Sequence, residues 1–294
     1  MNRRRFIYNS SIASLSVLGL NSCNQLFKDV KITILHSNDV HSQIEPFPLN
    51  HNRFPGRGGF ARRASIFNEI RSVNPNTLIF DAGDIFQGTP YFNFFQGELE
   101  LKLMKEMGYN AATIGNHEFD AGLDTLKRNI LSTNFQFIIS NYDFVNTELE
   151  GLTTPYKIYK KEGVKIGVFG LGIELRGLVN PILYKETKYY DPIEISDEMV
   201  KILKDEKKCD LIICVSHLGH EYNSNKISDS KLAQLTSDID LIIGGHTHTF
   251  LKEPLITKNK KNKNVIINQV GSGGVYLGRI DFNFTNSSKI DTNS

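Results

Sequence analysis

Asn116, His117 and Asp120 stand close together in Ala112-Thr-Ile-Gly-Asn-His-Glu-Phe-Asp120. The Asn116 amide oxygen is a hard, neutral donor that suits a divalent cation. His117 can give or take a proton near neutral pH. Asp120 can accept from one imidazole nitrogen and so set the tautomer that the other presents. The same stretch also suits a strand, a polar turn and a helix start, with Glu118 and Asp120 favoured by the helix dipole. Residues elsewhere decide between the two readings. Asp39-Val-His41 is an i, i+2 pair, Asp84 closes Asp81-Ala-Gly-Asp84, His217 stands in Ser216-His-Leu-Gly-His220, and His246 and His248 stand in Gly244-Gly-His-Thr-His248. The candidate ligands are therefore Asp39, His41, Asp84, Asn116, His217, His246 and His248. Asp, His and Asn without Cys suit divalent ions such as Zn²⁺, Mn²⁺ or Fe²⁺. One tetrahedral catalytic zinc takes about three protein ligands; this set suits two divalent metal ions sharing a carboxylate. Such a pair, about 3.5–4 Å apart, polarises a phosphoryl oxygen and activates water, as hydrolysis of a phosphate ester requires.

Each of these motifs follows an apolar run. Lys31 to Leu35, Thr77 to Phe80, Ala111 to Ile114, Leu211 to Val215 and Ile239 to Ile243 read as strands, and ligands beyond the carboxyl ends of strands converge on one rim of an α/β sheet. Phe135 to Ser140 and Val164 to Phe169 are further strands. Val265 to Val270 and Tyr276 to Phe284 read as a pair joined through Gly271-Ser-Gly-Gly274. Helical spacing covers Phe60, Ala64 and Phe67. A helix from Pro90 to about Met107 carries a stripe of Leu99, Leu103 and Met107 and stops at Gly108; two more fall near 122–131 and 195–206. Residues 174–192 read as irregular. No repeat or linker divides residues 31–285, which read as one α/β domain followed by a loose polar tail, 286–294.

Residues 1–22 read as an export signal. Arg3, Arg4 and Arg5 precede a short apolar stretch, Ser11 to Leu20, too short to span a bilayer. Asn2-Arg-Arg-Arg-Phe-Ile7 resembles a twin-arginine motif, and Leu20-Asn-Ser-Cys23 resembles a lipoprotein box that would make Cys23 a lipidated first residue. Residues 23–30 then form a spacer, and the protein is an anchored component of a bacterial cell envelope. Removing this signal takes away three arginines and no acidic residue, so the net charge moves from +2 to −1. No global field favours nucleic acid. The basic run Lys258 to Lys263 reads as a hairpin loop. Cys209 and Cys214 bracket a strand at about 3.3 Å per residue, too far apart to bridge.

Asp39-Val-His41, Gly83-Asp84, Gly115-Asn-His-Glu118, His217 and Gly244-Gly-His-Thr-His248, in that order, resemble the signature of the calcineurin-like metallophosphoesterases. Phe86-Gln-Gly-Thr-Pro90, Asn116-His-Glu-Phe-Asp120 and Gly271-Ser-Gly-Gly-Val-Tyr-Leu-Gly278 bring the resemblance to the catalytic domain of 5′-nucleotidases. It implies an α/β fold of four layers, two packed mixed β-sheets flanked by helices. It also implies one metal among Asp39, His41, Asp84 and His248, and a second among Asp84, Asn116, His217 and His246, with Asp84 bridging. His117, oriented by Asp120, becomes the catalytic acid, and Asn116 and His117 meet the substrate phosphate. His36 and His220 receive no role. The implied activity is two-metal hydrolysis of a small-molecule phosphate ester, foremost a nucleotide; a cyclic-nucleotide phosphodiesterase, a nucleotide-sugar hydrolase, a broad phosphatase and a non-catalytic metal-binding lipoprotein are the alternatives. Full-length 5′-nucleotidases carry a second, substrate-binding domain that this sequence lacks, so a separate chain supplying it is an expected partner.

Overall fold

The computed structural model describes residues 29–285 and 290–293; the export signal, the lipoprotein box with Cys23 and most of the spacer lie outside the described residues. The strand runs that read as apolar throughout are buried on both faces, and period-two alternation sends their side chains to two different cores. In β1 (Val30–Ser37) Ile32 and Ile34 enter a central core, whereas Leu35 enters an outer one. In β2 (Thr77–Asp81) Leu78 and Phe80 point inward and Ile79 outward. The pattern repeats across the molecule in β9 (Leu211–Ser216), where Leu211, Ile213 and Val215 face the central core and Ile212 and Cys214 a third one.

Two six-stranded sheets meet at this central core. The first has β1, β2, β3 (Ala111–Ala112) and β4 (Gln136–Phe137) parallel, with β13 (Gly278–Phe284) antiparallel beside β1 and β14 (Ile290–Asn293) beyond it. The second has β7 (Val164–Leu171), β9, β10 (Leu241–Ile243) and β12 (Asn264–Asn268) parallel, with β6 (Tyr156–Lys161) and β11 (Leu255–Lys258) as antiparallel edges. Helices α1 (Phe60–Val73), α3 (Glu98–Met107) and α4 (Gly122–Ser132) cover the outer face of the first sheet through Phe67, Leu101, Met104 and Leu126. Helices α6 (Pro192–Val200) and α7 (Asp229–Leu235) cover the second through Met199 and Leu232. The result is the four-layer arrangement that the resemblance implies.

Several local expectations change. The helix read from Pro90 to Met107 is two, α2 (Pro90–Phe95) and α3, because Gln96 and Gly97 turn left-handed at φ 51° and 93° and Gly97 lies against the Phe86 ring. The buried stripe of α3 is Leu101, Met104 and Met107, so Met107 stands as expected, whereas Leu99 and Leu103 are only partly buried. The final strands are not a pair: β12 belongs to the second sheet and β13 to the first, and Gly271 to Gly274 carry the chain between them. Residues 174–192 contain a helical turn, α5 (Pro181–Tyr184), and β8 (Lys188–Tyr189), which pairs with β5 (Tyr142–Asp143). Residues 290–293 of the supposed loose tail extend the first sheet as β14. The basic run does form the β11–β12 hairpin loop, and Cys209 and Cys214 are free and buried. Among the described residues no helix is long and apolar enough to cross a membrane.

Candidate metal centre

β1, β2 and β3 from one sheet and β9 and β10 from the other all deliver candidate ligands just past their carboxyl ends, and the loops are stitched together there. Asp39 N donates to Gly83 O (2.9 Å) and His41 N to Asp84 O (3.1 Å), tying the β1 loop to the β2 loop. The β2 and β3 loops touch through glycines. A Cβ on Gly83 would lie 2.6 Å from Gly115 N, and one on Gly115 would clash with the Asp84 carboxylate. Five of the seven candidate ligands, Asp39, His41, Asp84, His246 and His248, hold left-handed backbones with φ between 48° and 70°. Non-glycine residues adopt that region at a cost, and such outliers collect where surrounding structure enforces them.

The side chains form two groups. Asp39, His41 and His248 offer ligand atoms within 4.8 Å of one another, and Asp84, His217 and His246 do the same. Asn116 joins the second group, its Oδ1 2.9 Å from His246 Nδ1. In the first group the two Nε2 atoms of His41 and His248 are 2.9 Å apart, and His248 Nε2 is 3.3 Å from Asp39 Oδ1. In the second, His217 Nε2 stands 3.0 Å from Asp84 Oδ2. The imidazoles are oriented from behind. His217 Nδ1 donates to Ala82 O at 2.6 Å, and His41 Nδ1 to Phe86 O and Gln87 O at 3.2 and 3.1 Å. That leaves each Nε2 lone pair aimed at other acceptors, an arrangement that a cation between them would satisfy. The donor set and its geometry thus fit divalent metal ions.

The charges agree with this reading. Burial disfavours a proton on His217, yet the adjacent Asp84 carboxylate outweighs burial and lifts its pKa to about 10. His246 goes the other way, to about 3, through burial and the neighbouring His217, so it is a neutral donor. Burial works against ionisation of Asp84 as well, but His217 dominates and holds its carboxyl well below the usual range.

His117 belongs to neither group. Its ring lies 5.2 Å from that of His41, its backbone N donates to Asp84 Oδ1 at 2.8 Å, and its Nδ1 is 2.7 Å from Asp120 Oδ2. With its side chain 32% exposed, it sits at the open mouth of the centre. His36 and His220 lie apart from both groups. His36 is buried with Nε2 3.0 Å from Asn268 Nδ2, and His220 N donates to Thr247 Oγ1.

Sequence reasoning missed the residues that hold the loops. Glu118, read as a helix-dipole group, is instead a buried acceptor for Asp84 N (2.9 Å), Ile85 N (2.7 Å) and Gly115 N (2.6 Å). Burial and the nearby Asp84 charge raise its pKa to about 7. Asn38 donates to Asp39 Oδ2 (2.6 Å), and Gln269 holds the β10 loop through Gly245 O (2.5 Å) and Thr247. Only the polarity of Asn38 and Gln269 beside apolar strands signals them. Glu118→Ala should destabilise the fold by about 3 kcal/mol or more, because it strands several buried N–H donors. It should also weaken binding of both ions. Urea unfolding and metal titration measure the two effects; wild-type values in both would show that the carboxylate holds nothing.

The pattern that defines calcineurin-like phosphoesterases matches residues 32–250. The chain belongs to the calcineurin-like phosphoesterase family. Within that family it is 30% identical over 285 residues to the snake venom 5′-nucleotidase of Gloydius brevicauda, covering 88% of this chain and 46% of the relative. It is 32% identical over 283 residues to the 5′-nucleotidase of Vibrio cholerae, covering 88% and 50%. The structure of a 5′-nucleotidase precursor from Thermus thermophilus superposes with a TM-score of 0.79 at 30% identity, over 90% of this chain and 54% of that one. The chain therefore spans about half the length of these relatives, and what it shares with them is a domain of the metal-dependent phosphoesterase type.

Proposed function

We propose that the protein hydrolyses phosphate monoesters outside the cytoplasm, with nucleoside 5′-phosphates as the substrate class. The observation that carries this reading is the pair of ligand groups lying side by side with the His117–Asp120 pair at their mouth. Asp39, His41, Asp84 and His248 would hold one ion, and Asp84, Asn116, His217 and His246 the other, with Asp84 shared. When bound, the ions supply positive charge to the phosphoryl group and lower the pKa of water. Asp120 keeps the His117 proton on Nδ1, so Nε2 is the atom that meets a phosphoryl oxygen or the leaving group. Asn116 and His117 together orient the phosphate. The donor set suits Zn²⁺, Mn²⁺ or Fe²⁺. The nucleotide preference rests on the names of the relatives.

Turnover of an aryl phosphate and of AMP by the purified protein with added Mn²⁺ tests this directly. Release of phosphate from both is expected. A protein that binds two ions and turns over neither is a metal-binding component of another kind.

The same reading gives the protein a place and a partner. With residues 1–22 as an export signal and Cys23 lipidated, wild-type protein should partition with membranes, and Cys23→Ser should accumulate as precursor or as soluble protein. A mature soluble form beginning elsewhere than Cys23 would remove the anchor. Phe94 and Phe95, 81% and 46% exposed, line an apolar groove with Tyr91 and Pro46, whereas Phe92 is buried. This face would receive a chain supplying the substrate-binding domain. Strong, base-selective activity from the isolated protein would exclude that partner.

A further inference from the structure

We propose a second small-molecule site, separate from the metal centre, that takes a planar aromatic ring carrying an anionic group. The site is a groove of about 630 Å³ between the ends of β12 and β13, within the range of ligand pockets, and none of the seven candidate ligands lines it. Its walls are aromatic. The Phe250 ring lies 5.4 Å from that of Phe54 at a tilt of 34°, and 5.6 Å from that of Tyr276, edge to face. Tyr276 is 48% exposed, so a ring face remains open for stacking.

Two cations without an ion pair among the described residues sit on the rim. Arg53 lies over the Phe54 ring at 5.2 Å, and Lys252 is exposed at the other side. Neither is in an ion pair with a described residue, whereas Arg279, also on the rim, is held by Asp281 at 3.0 Å. Unpaired cations beside aromatic walls select an anion on an aromatic body. A purely apolar occupant would leave them unused.

At the base of the groove is Asn268, only 5% exposed. Its Nδ2 is 3.0 Å from His36 Nε2, and its Oδ1 has no partner. Turning the amide over would leave Nδ2 unpartnered instead, so one buried polar atom is left over either way. An orphaned buried group costs about 1–3 kcal/mol, and a polar edge on the ring would satisfy it. Nothing in the metal centre needs this pocket, and the inference stands whether or not the phosphoesterase reading does.

The test uses naphthalene-1-sulfonate, a planar aromatic anion with no phosphate ester, titrated calorimetrically into the metal-loaded protein with and without excess inorganic phosphate. Saturable binding at one site, indifferent to phosphate, is expected, with none for methanesulfonate. Tyr276→Ala and Lys252→Gln, both at exposed positions, should each weaken binding roughly tenfold while leaving the unfolding midpoint unchanged. Absence of saturable binding, displacement by phosphate, equal binding of methanesulfonate, or full affinity in both variants would overturn the site.

Discussion

Asp84→Asn should cost more activity than any other single ligand change, with both ions weakened at once. On the proposed assignment Asp84 is the ligand shared by both ions; by position it stands with His217 and His246. Its Oδ2 faces His217 at 3.0 Å, its Oδ1 accepts from His117 N at 2.8 Å, and its charge partly opposes the burial that lowers the pKa of His41 and His246. An amide keeps the shape and removes the charge. Each ion supplies several kcal/mol of transition-state stabilisation, which is about 10²–10⁴ in rate at 1.36 kcal/mol per decade. The comparison variant is His41→Ala, whose imidazole belongs to the first group alone, so that it should lose one ion and keep the other. Metal content and kcat/KM of both proteins are the measurements. Two ions and a near-normal rate in Asp84→Asn would mean that the carboxylate is not shared.

His117→Asn should lower kcat by roughly 10²–10⁴ and leave two ions bound. The imidazole stands outside both ligand groups, and the backbone N–H that supports Asp84 survives the substitution. Burial lowers the pKa of His117, but the hydrogen bond to Asp120 and the charge of Asp84 outweigh burial and raise it above the ordinary value. An acid must be protonated to act, so activity should fall as pH rises through this pKa. Asp120→Asn removes part of that support, and its alkaline limb should move to lower pH. Metal analysis and pH–rate profiles decide the matter. Loss of an ion from His117→Asn would make His117 a ligand rather than an acid.

Much of this was legible in the sequence because it depends on local order. Apolar runs buried on both faces announce strands, and polar donors immediately after them announce a rim. Neither property needs knowledge of which strands are neighbours. The breaks in this legibility have physical causes. The division of residues 90–107 depends on Phe86, which packs against Gly97 from outside the helix. Residues 264–284 resemble a hairpin, since alternation is the same whether two strands pair with each other or with separate sheets. Only the partners, β10 for β12 and β1 for β13, decide.

The types and order of the seven candidate ligands, and the strands that carry them, are properties of short segments and so can be read from the chain alone. How those ligands divide into two groups, and what keeps them there, follows only from the packed sheets. Ligands from opposite sheets meet because the parallel strands of both end at one rim, and His217 reaches Asp84 across that junction. Glu118, Asn38 and Gln269 hold the loops through backbone partners as far as 233 positions away, as Asn38 does with Gly271. Such bonds leave no periodic trace in a sequence. They exist only because buried backbone donors must be satisfied once the fold has brought them together.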